Sequence, residues 1–396
     1  MRLLVDAQPM QSASSRQRGI GRYTVQLLGA MAALRPHWQI ELVQSAHLEA
    51  PDSGLLPGLP RRTFTPPFPA VPGRNDANER YYADWLTAQA PDAILVCSFF
   101  ESLGLLPQFV GRRPPLFGIL YDLIPLLFAD DYFTLATTQA QYAQQLRLML
   151  QADCLFAISE ATAQDLRRLF REPLPAVVPI GGAADPAFAP HADADLPAYR
   201  ERLRSRFGLA RDFILYVGGF DHRKNLRGAL ESFAALPETA RQALDFVIAC
   251  RLTPDQRRLL EGWASDLGIA AQVKLTGYVS DDELRALYQL CRLFFFPSLY
   301  EGLGLPVLEA LQLGAPVVAP NHSSIPEVAG SVCVLADSCA PADLARAVLT
   351  ALAEPRDAGV TARRQHAAGF RWDDVASLAC QALERPRRAA PVPRRR

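Results

Sequence analysis

Short apolar runs alternate along this chain with stretches of helical periodicity. RLLVDA, IELVQS, DAILVCSFF, LFGILYD, CLFAIS and AVVPI fall in the first half, and FILYVGG, DFVIAC, VKLTGY, LFFFPS, PVVAP and VCVLA in the second. Runs that are apolar throughout, rather than at every second residue, predict strands covered on both faces, which is the pattern of parallel sheets flanked by helices. Several helix starts are legible. Thr253 precedes Pro254, and Ser280 with Glu283 makes a capping box that opens DDELRALYQLC. Near the end, FRWDDVASLACQALE predicts an amphipathic helix with Phe370, Trp372, Val375, Leu378 and Ala379 on one face.

With 396 residues, 49% of them hydrophobic, the chain exceeds what one core usually holds. GGAADPAFAPHADADLPAYRERL is rich in Ala, Pro, Gly and Asp, which places an interdomain linker near residues 181 to 196. The fold expected is α/β, with two doubly wound, Rossmann-like parallel-sheet domains facing across a cleft. Their spans are 1–190 and 191–370. A second proline-rich patch, 51–78, reads as a long surface loop. Open parallel sheets bind ligands outside the carboxyl ends of their strands, so the interface between two such sheets is the expected site.

Charge and cysteines narrow the function classes. Lys+Arg and Asp+Glu both total 41, so nucleic acid is not an expected partner. Six of those basic residues (Arg385, Arg387, Arg388, Arg394, Arg395, Arg396) crowd the last twelve positions, and they read either as a solvated terminus or as a foothold on anionic lipid. The seven cysteines include no C-x-x-C pair and sit mostly in apolar runs, as reduced, buried thiols do. Asp6 comes too early for a secretory leader, and no uninterrupted apolar stretch is long enough to span a bilayer. The expectation is a cytoplasmic protein, at most peripheral to the inner membrane. No histidine pairs at a metal-ligand spacing, so neither a metal nor a cofactor is expected. Asp193-x-Asp195 has the spacing of a metal–diphosphate motif but lies in the linker and reads as linker.

Two stretches carry chemistry. In PSLYEGLGLPVLEALQLGAP a strand gives way to a helix with Pro306 near its start and Gly314 at its end, which puts Glu301 in the intervening loop and Glu309 in the first turn. Gly302 and Gly304, around Leu303, let backbone approach a ligand, and free N–H groups at a helix start attract phosphate. Two carboxylates there would repel the phosphate and should face hydroxyls instead, which implies a nucleoside diphosphate sugar. Taken alone, Glu309 is equally a favourable charge on a helix dipole. In FILYVGGFDHRKNLRGALESFAAL a strand ends at Gly218-Gly219, and Arg223 and Lys224 precede a helix with Asn225 at its N-cap. Paired cations beside a helix start can hold a departing diphosphate, although such a pair is often only surface charge. His222 borders this loop and reads as exposed.

With both stretches in view, the chain resembles the family 4 retaining glycosyltransferases of the GT-B fold. Glu301 and Glu309 match the family's glutamate, seven residues, glutamate motif, and the YVGG and RKN segments are similar to its diphosphate loop. SSRQRGIGRYTVQLL and LYDLIPLLF look like the branch that builds bacterial polysaccharides and lipopolysaccharide, often mannosyl- or rhamnosyltransferases. The resemblance implies a metal-independent hexosyl transfer, mannosyl first, from a nucleotide sugar (GDP-mannose favoured) to a saccharide or lipid-linked saccharide. It implies that Glu301 meets the donor sugar, Glu309 the ribose hydroxyls, and Lys224 with Arg223 the diphosphate. It also implies that residues 371–396 cross back onto the first domain. Two positions depart from the family pattern: Gly219 stands where many relatives have arginine, and Tyr121 where relatives often present histidine. Asp122, next to Tyr121, is the candidate polar helper, and it reads equally as a turn-former ahead of Pro125. Gly19 and Gly21 are candidates to bring backbone amides against the donor phosphate, with Arg16, Arg18 and Arg22 as further anion contacts or as a solvated loop. Other functions on the same double fold stay open, namely a nucleotide-sugar isomerase, a phosphorylase, or a non-catalytic subunit of a polysaccharide assembly.

Overall fold

The computed structural model describes residues 1–12, 15, 19–50, 54–69, 75–101, 104–171, 173–209 and 211–385. The first sheet holds β1 (Arg2–Asp6), β2 (Gln39–Ser45), β3 (Arg61–Phe64), β4 (Ala93–Val96), β5 (Leu116–Leu120), β6 (Cys154–Ala157) and β7 (Ala176–Pro179). The second holds β8 (Asp212–Val217), β9 (Leu244–Ala249), β10 (Val273–Leu275), β11 (Leu293–Phe295), β12 (Val317–Pro320) and β13 (Val334–Ala336). Their orders are β3-β2-β1-β4-β5-β6-β7 and β10-β9-β8-β11-β12-β13, and the strand pairs within each sheet are parallel. In each sheet the order reverses beside the first strand. The β1–β4 and β8–β11 crevices are therefore the points at which ligands can enter.

The central strands are what their composition dictates. Every residue of LFGIL in β5 and of LDFVIA in β9 is buried, as two-sided coverage requires. β3 is different, and it lies inside the patch read as a surface loop. Its sequence RRTF buries only Phe64, because an edge strand needs neither an apolar run nor strict alternation. Among the described residues the first sheet therefore has seven strands, one more than the apolar runs indicate.

The capping box of Ser280 with Glu283 forms, and Thr253 caps its helix ahead of Pro254, where Gln256 completes a second box. Asp193 and Asp195 lie exposed in a short turn ahead of the Leu196–Phe207 helix. The arginine-rich segment beyond residue 385 lies outside the described residues. No described helix is long and apolar enough to cross a membrane.

One apolar cluster runs from Leu3, Tyr23 and Leu42 in the first domain through Phe188 and Leu303 to Phe294 and Val307 in the second. The Trp372–Glu384 helix closes this seam on the side of the Gly19–Leu34 helix. Trp372 packs edge-on to Tyr23 with ring centroids 4.9 Å apart, its Nε1 donates to the Ala184 carbonyl at 3.0 Å, and Arg35 pairs with Glu384 at 2.7 Å. The buried face of this helix is Trp372, Val375, Ala376, Ala379, Cys380 and Leu383, and Leu378 points out at 41% exposure. Counting from Trp372, Leu378 is six residues on, which at 3.6 residues per turn lands on the far side. Its assignment to the buried face fails on that geometry. Trp372→Ala should cost about 3–5 kcal/mol in denaturant unfolding, whereas Leu378→Ala should stay within about 0.5 kcal/mol of the parent.

Candidate active site

Because β8 and β11 are neighbours, the loops that leave their carboxyl ends emerge side by side. The β8 loop forms a short turn, His222–Lys224, whose cap is Asp221, with its carboxylate accepting from the Arg223 N–H at 3.1 Å. The β11 loop leads to the Leu305–Gln312 helix. They are sewn together where the Leu299 N–H donates to the Arg223 carbonyl at 2.6 Å and Asn225 Nδ2 donates to the Pro297 carbonyl at 3.0 Å. Asn225 makes that bond from the left-handed region, φ 53°, and its side chain does not cap the Leu226–Ala234 helix. The expected N-cap bond is absent because the amide holds the neighbouring loop instead.

Glu301 sits at the junction with both oxygens engaged. Oε1 accepts from Lys224 Nζ at 2.6 Å and Oε2 from Arg223 Nη1 at 2.9 Å. Its backbone is held as firmly. Its N–H donates to Ser323 Oγ at 3.2 Å, its carbonyl accepts from Ser324 Oγ at 2.9 Å, and Ser323 itself has φ 52°. Burial pushes the Glu301 carboxyl up, but Lys224 and Arg223 outweigh it and hold the group below the ordinary carboxylate range. Lys224 goes the other way for an amine: burial lowers it, and attraction to Glu301 restores only part of the loss. The ammonium also lies 5.1 Å over the Phe296 ring.

Asp122, at the carboxyl end of β5, belongs to the same field. Burial raises its pKa, Arg223 and Lys224 pull it back, and Glu301 opposes them. Its Oδ1 also accepts from the Ile124 N–H at 3.1 Å, so it forms the turn and faces the cations at once. The domains meet here through backbone. A Cβ on Gly302 would lie 2.2 Å from the Tyr121 carbonyl oxygen, and Thr162 Oγ1 donates to the Gly302 carbonyl at 3.1 Å.

Other candidates are placed less as expected. Leu303 is buried at 5% exposure, in the interdomain seam against Gly182 and Tyr23, so its side chain does not face a donor. Gly304 has φ +97° and precedes the helix, where a Cβ would crowd Ile325 at 2.9 Å. Glu309 falls in the second turn, not the first, because the helix starts at Leu305. Its neighbours are Arg22, Asp185, Asp281 and the Tyr288 hydroxyl, a set separate from that of Glu301, and burial pushes its pKa up to about 7. Gly218 makes room for the Tyr216 hydroxyl, which donates to the Lys224 carbonyl at 3.3 Å, while a Cβ on Gly219 would meet nothing within 4 Å. The Gly21 N–H donates to the Ser15 carbonyl at 3.0 Å, so that amide is already engaged and not offered to phosphate. Gly19 opens the helix and faces Leu305. Arg16 and Arg18 lie outside the described residues, and Arg22 bonds Asp281 across the domains at 2.6 Å. His222 is largely exposed, 3.8 Å from Asp131.

Several cross-domain residues carry no motif. The Tyr132 hydroxyl donates to Asp221 at 2.8 Å, and that of Tyr300 to both Asp165 oxygens at 2.8 and 2.9 Å. Glu327 accepts from the N–H groups of Glu160 and Ala161 at 2.9 and 2.7 Å, closing the N-terminus of the Glu160–Leu169 helix. Asp221 and Tyr300 lie within the quoted stretches, whereas Tyr132, Asp165 and Glu327 lie in none of them and leave no signal in the sequence.

Two doubly wound sheets with a charged junction between them define a GT-B fold. Residues 200–368 match the family described as Glycosyl transferases group 1, and this part of the chain is a domain of that family. The chain is similar to the serotype-specific mannosyltransferase WbdA of Escherichia coli, 29% identical over 97% of this chain and 48% of that one. It is also similar to the O-antigen chain mannosyltransferase B of the same organism, 33% identical over 47% of this chain and 48% of the other. It thus spans about half the length of the curated relatives it matches. In fold it is similar to the sucrose-phosphate synthase of Thermosynechococcus elongatus (TM-score 0.74, 19% identity, covering 96% of this chain and 98% of that one). It is likewise similar to Anabaena Alr3699/HepE in complex with UDP and glucose (TM-score 0.71, 19% identity, 97% and 99% covered).

The two glycines of the junction separate in a testable way. Gly302→Ala, which drives a methyl into a carbonyl oxygen, should destabilise by about 1–3 kcal/mol in chemical denaturation and prise the domains apart. Gly219→Ala, with open space before it, should stay within about 0.5 kcal/mol.

Proposed function

We propose that this chain transfers a hexosyl group, mannosyl first, from a nucleoside diphosphate sugar to a hydroxyl of a saccharide or lipid-linked saccharide, with retention at the anomeric carbon. The observation that carries this reading is the Glu301 carboxylate shared between Arg223 and Lys224 where the β8 and β11 loops meet the first domain. That carboxylate engages the same cations a diphosphate would take. Donor binding exchanges the partners: the phosphates go to Arg223 and Lys224, and Glu301 is released to accept from sugar hydroxyls. Mannosyltransferase relatives and a structural neighbour holding UDP and glucose support the same substrate class.

The chemistry follows from that exchange. As the bond between the anomeric carbon and the phosphate oxygen breaks, its electron pair goes to the diphosphate, and Arg223 and Lys224 stabilise the growing charge. The acceptor oxygen bonds to the same face of the carbon, and its proton passes to the departing phosphate oxygen. Asp122, across the junction on the first domain, orients the incoming groups, and the close contact between Gly302 and Tyr121 excludes water that would hydrolyse the donor. Two fixed cations supply the electrostatics, so the reading requires no metal ion, and a chelator should leave turnover unchanged.

A thermal-shift screen against GDP-, UDP-, dTDP- and CDP-sugars tests donor binding, since a ligand at 100 times its Kd adds about 2.7 kcal/mol of stability. GDP-mannose is the donor expected to act. Glu301→Ala and Lys224→Ala should each lower kcat by about 10²–10³, with the anomeric configuration of the wild-type product read by NMR. Donor turnover without acceptor would point to an isomerase or phosphorylase. Unimpaired product yield with Lys224→Ala would point to a non-catalytic subunit, and either result overturns the reading.

A further inference from the structure

Arg22 lies near the start of the Gly19–Leu34 helix and so belongs to the first domain, yet the acids around it belong to the linker or the second domain. Its Nη2 bonds Asp281 Oδ1 at 2.6 Å, and its guanidinium lies 5.4 Å over the Phe188 ring. Glu309 and Asp185 are the other carboxylates acting on it. Asp281 opens the Asp281–Leu290 helix, Glu309 projects from the Leu305–Gln312 helix, and Asp185 accepts from Gln26 Nε2 at 3.1 Å. One cation from the first domain is thus set among two carboxylates of the second domain, Asp281 and Glu309, and one of the linker, Asp185, which is tied to the helix of Arg22 itself.

The groups facing Glu309 are Arg22, Asp185, Asp281 and the Tyr288 hydroxyl. Burial disfavours its charge, Asp185 and Asp281 add to that, and Arg22 is the leading opposing influence, with the outcome near 7. The arrangement has a direct consequence for motion. If the domains part, Arg22 withdraws from Asp281 and Glu309 together, and Glu309 is left beside Asp281 without its counter-charge.

We propose that Arg22 is a positioning residue of the donor site: it carries across the cleft the counter-charge that lets Glu309 serve as a hydroxyl acceptor, so the nucleoside end of the site is complete only when the domains are together. The inference rests on the nucleotide-sugar reading above. Closure then strengthens the grip on the ribose, and opening after transfer loosens it, which couples release of the nucleoside diphosphate to domain motion.

The test is calorimetric titration of the full chain with GDP, or UDP if the donor screen selects it, between pH 6 and 9. Wild-type protein, Arg22→Gln and Arg22→Lys are compared, each also with the 2′,3′-dideoxy nucleotide. Wild-type affinity should fall as the pH drops through about 7, where Glu309 gains its proton. Arg22→Gln should bind about fivefold more weakly at pH 7, as moving that midpoint up by one pH unit requires, and about tenfold more weakly at pH 6. Its deficit should shrink toward pH 9, where Glu309 ionises unaided, and Arg22→Lys should restore most of the affinity. In turnover, the Gln variant should raise the donor KM more than it lowers kcat. Against the dideoxy nucleotide, wild type and Arg22→Gln should bind alike.

A deficit of equal size at every pH, or one that persists with the dideoxy nucleotide, would overturn the proposal and leave Arg22 a plain domain latch. If wild-type protein binds no nucleoside diphosphate at any pH, the donor-site reading itself fails, a result plainly different from a misassigned Arg22.

Discussion

The structure turns on one carboxylate held between two cations. Burying Glu301, Arg223 and Lys224 is costly, and it is sustained only because each charge has a partner at hydrogen-bond distance. Two loops from adjacent strands must be brought into register to achieve this, and the fold spends backbone conformation on it. Asn225 and Ser323 both sit at positive φ without being glycine, and each fastens the Glu301 loop by a hydrogen bond. Strain at those two residues is intelligible as the means of fixing a charged group before any ligand arrives. A preset site loses little in reorganisation when charge develops in it.

The same junction governs how the domains meet. Gly302 permits a backbone-to-backbone approach to Tyr121, Leu303 next to it plugs the shared apolar seam, and Gly304 turns the chain into the helix that bears Glu309. Two consecutive positions of the β11 loop are thus spent on domain contact and the third on the turn. Around them lie polar contacts of a weaker kind, such as Tyr132 on Asp221 and Glu327 on the start of a first-domain helix. Apolar packing and a single tight backbone approach fix where the halves touch. Hydrogen bonds and ion pairs, which exchange for water at smaller net cost, leave the halves free to separate. The transfer proposed above, which must admit a donor, exclude water and release a nucleotide, needs this division.

Much of the architecture was legible in the linear pattern because buried parallel strands leave dense apolar runs and capped helices leave short local motifs. β3 escaped notice since an edge strand reading RRTF has three of four side chains reaching solvent. Apolar character alone puts Leu378 on the buried face, and the helical angle from Trp372 decides against it. In the site, Glu301, Lys224 and Arg223 were nominated by their chemistry and neighbours, and they do converge. Leu303 was nominated by its neighbours too, but an apolar side chain between glycines follows the core rather than the ligand. The Gly21 amide is already used within its own loop, which glycine spacing alone does not report.

Local pattern is enough to establish two parallel α/β units, the loops that carry charge, and the residue types able to hold a diphosphate and sugar hydroxyls, since each of these depends on local periodicity or on a motif a few residues long. Only the tertiary structure decided the pairings: that Glu301 rests on both cations, that Glu309 answers to Arg22 from the other domain, and that Tyr132, Asp165 and Glu327 hold the halves together. Those partners are separated in sequence by 77 and 78 residues for the Glu301 pairs and by 166 and 167 for Glu327. No local pattern reports such distances, because long-range charge pairing is set by how two sheets dock and not by any propensity of the segments involved.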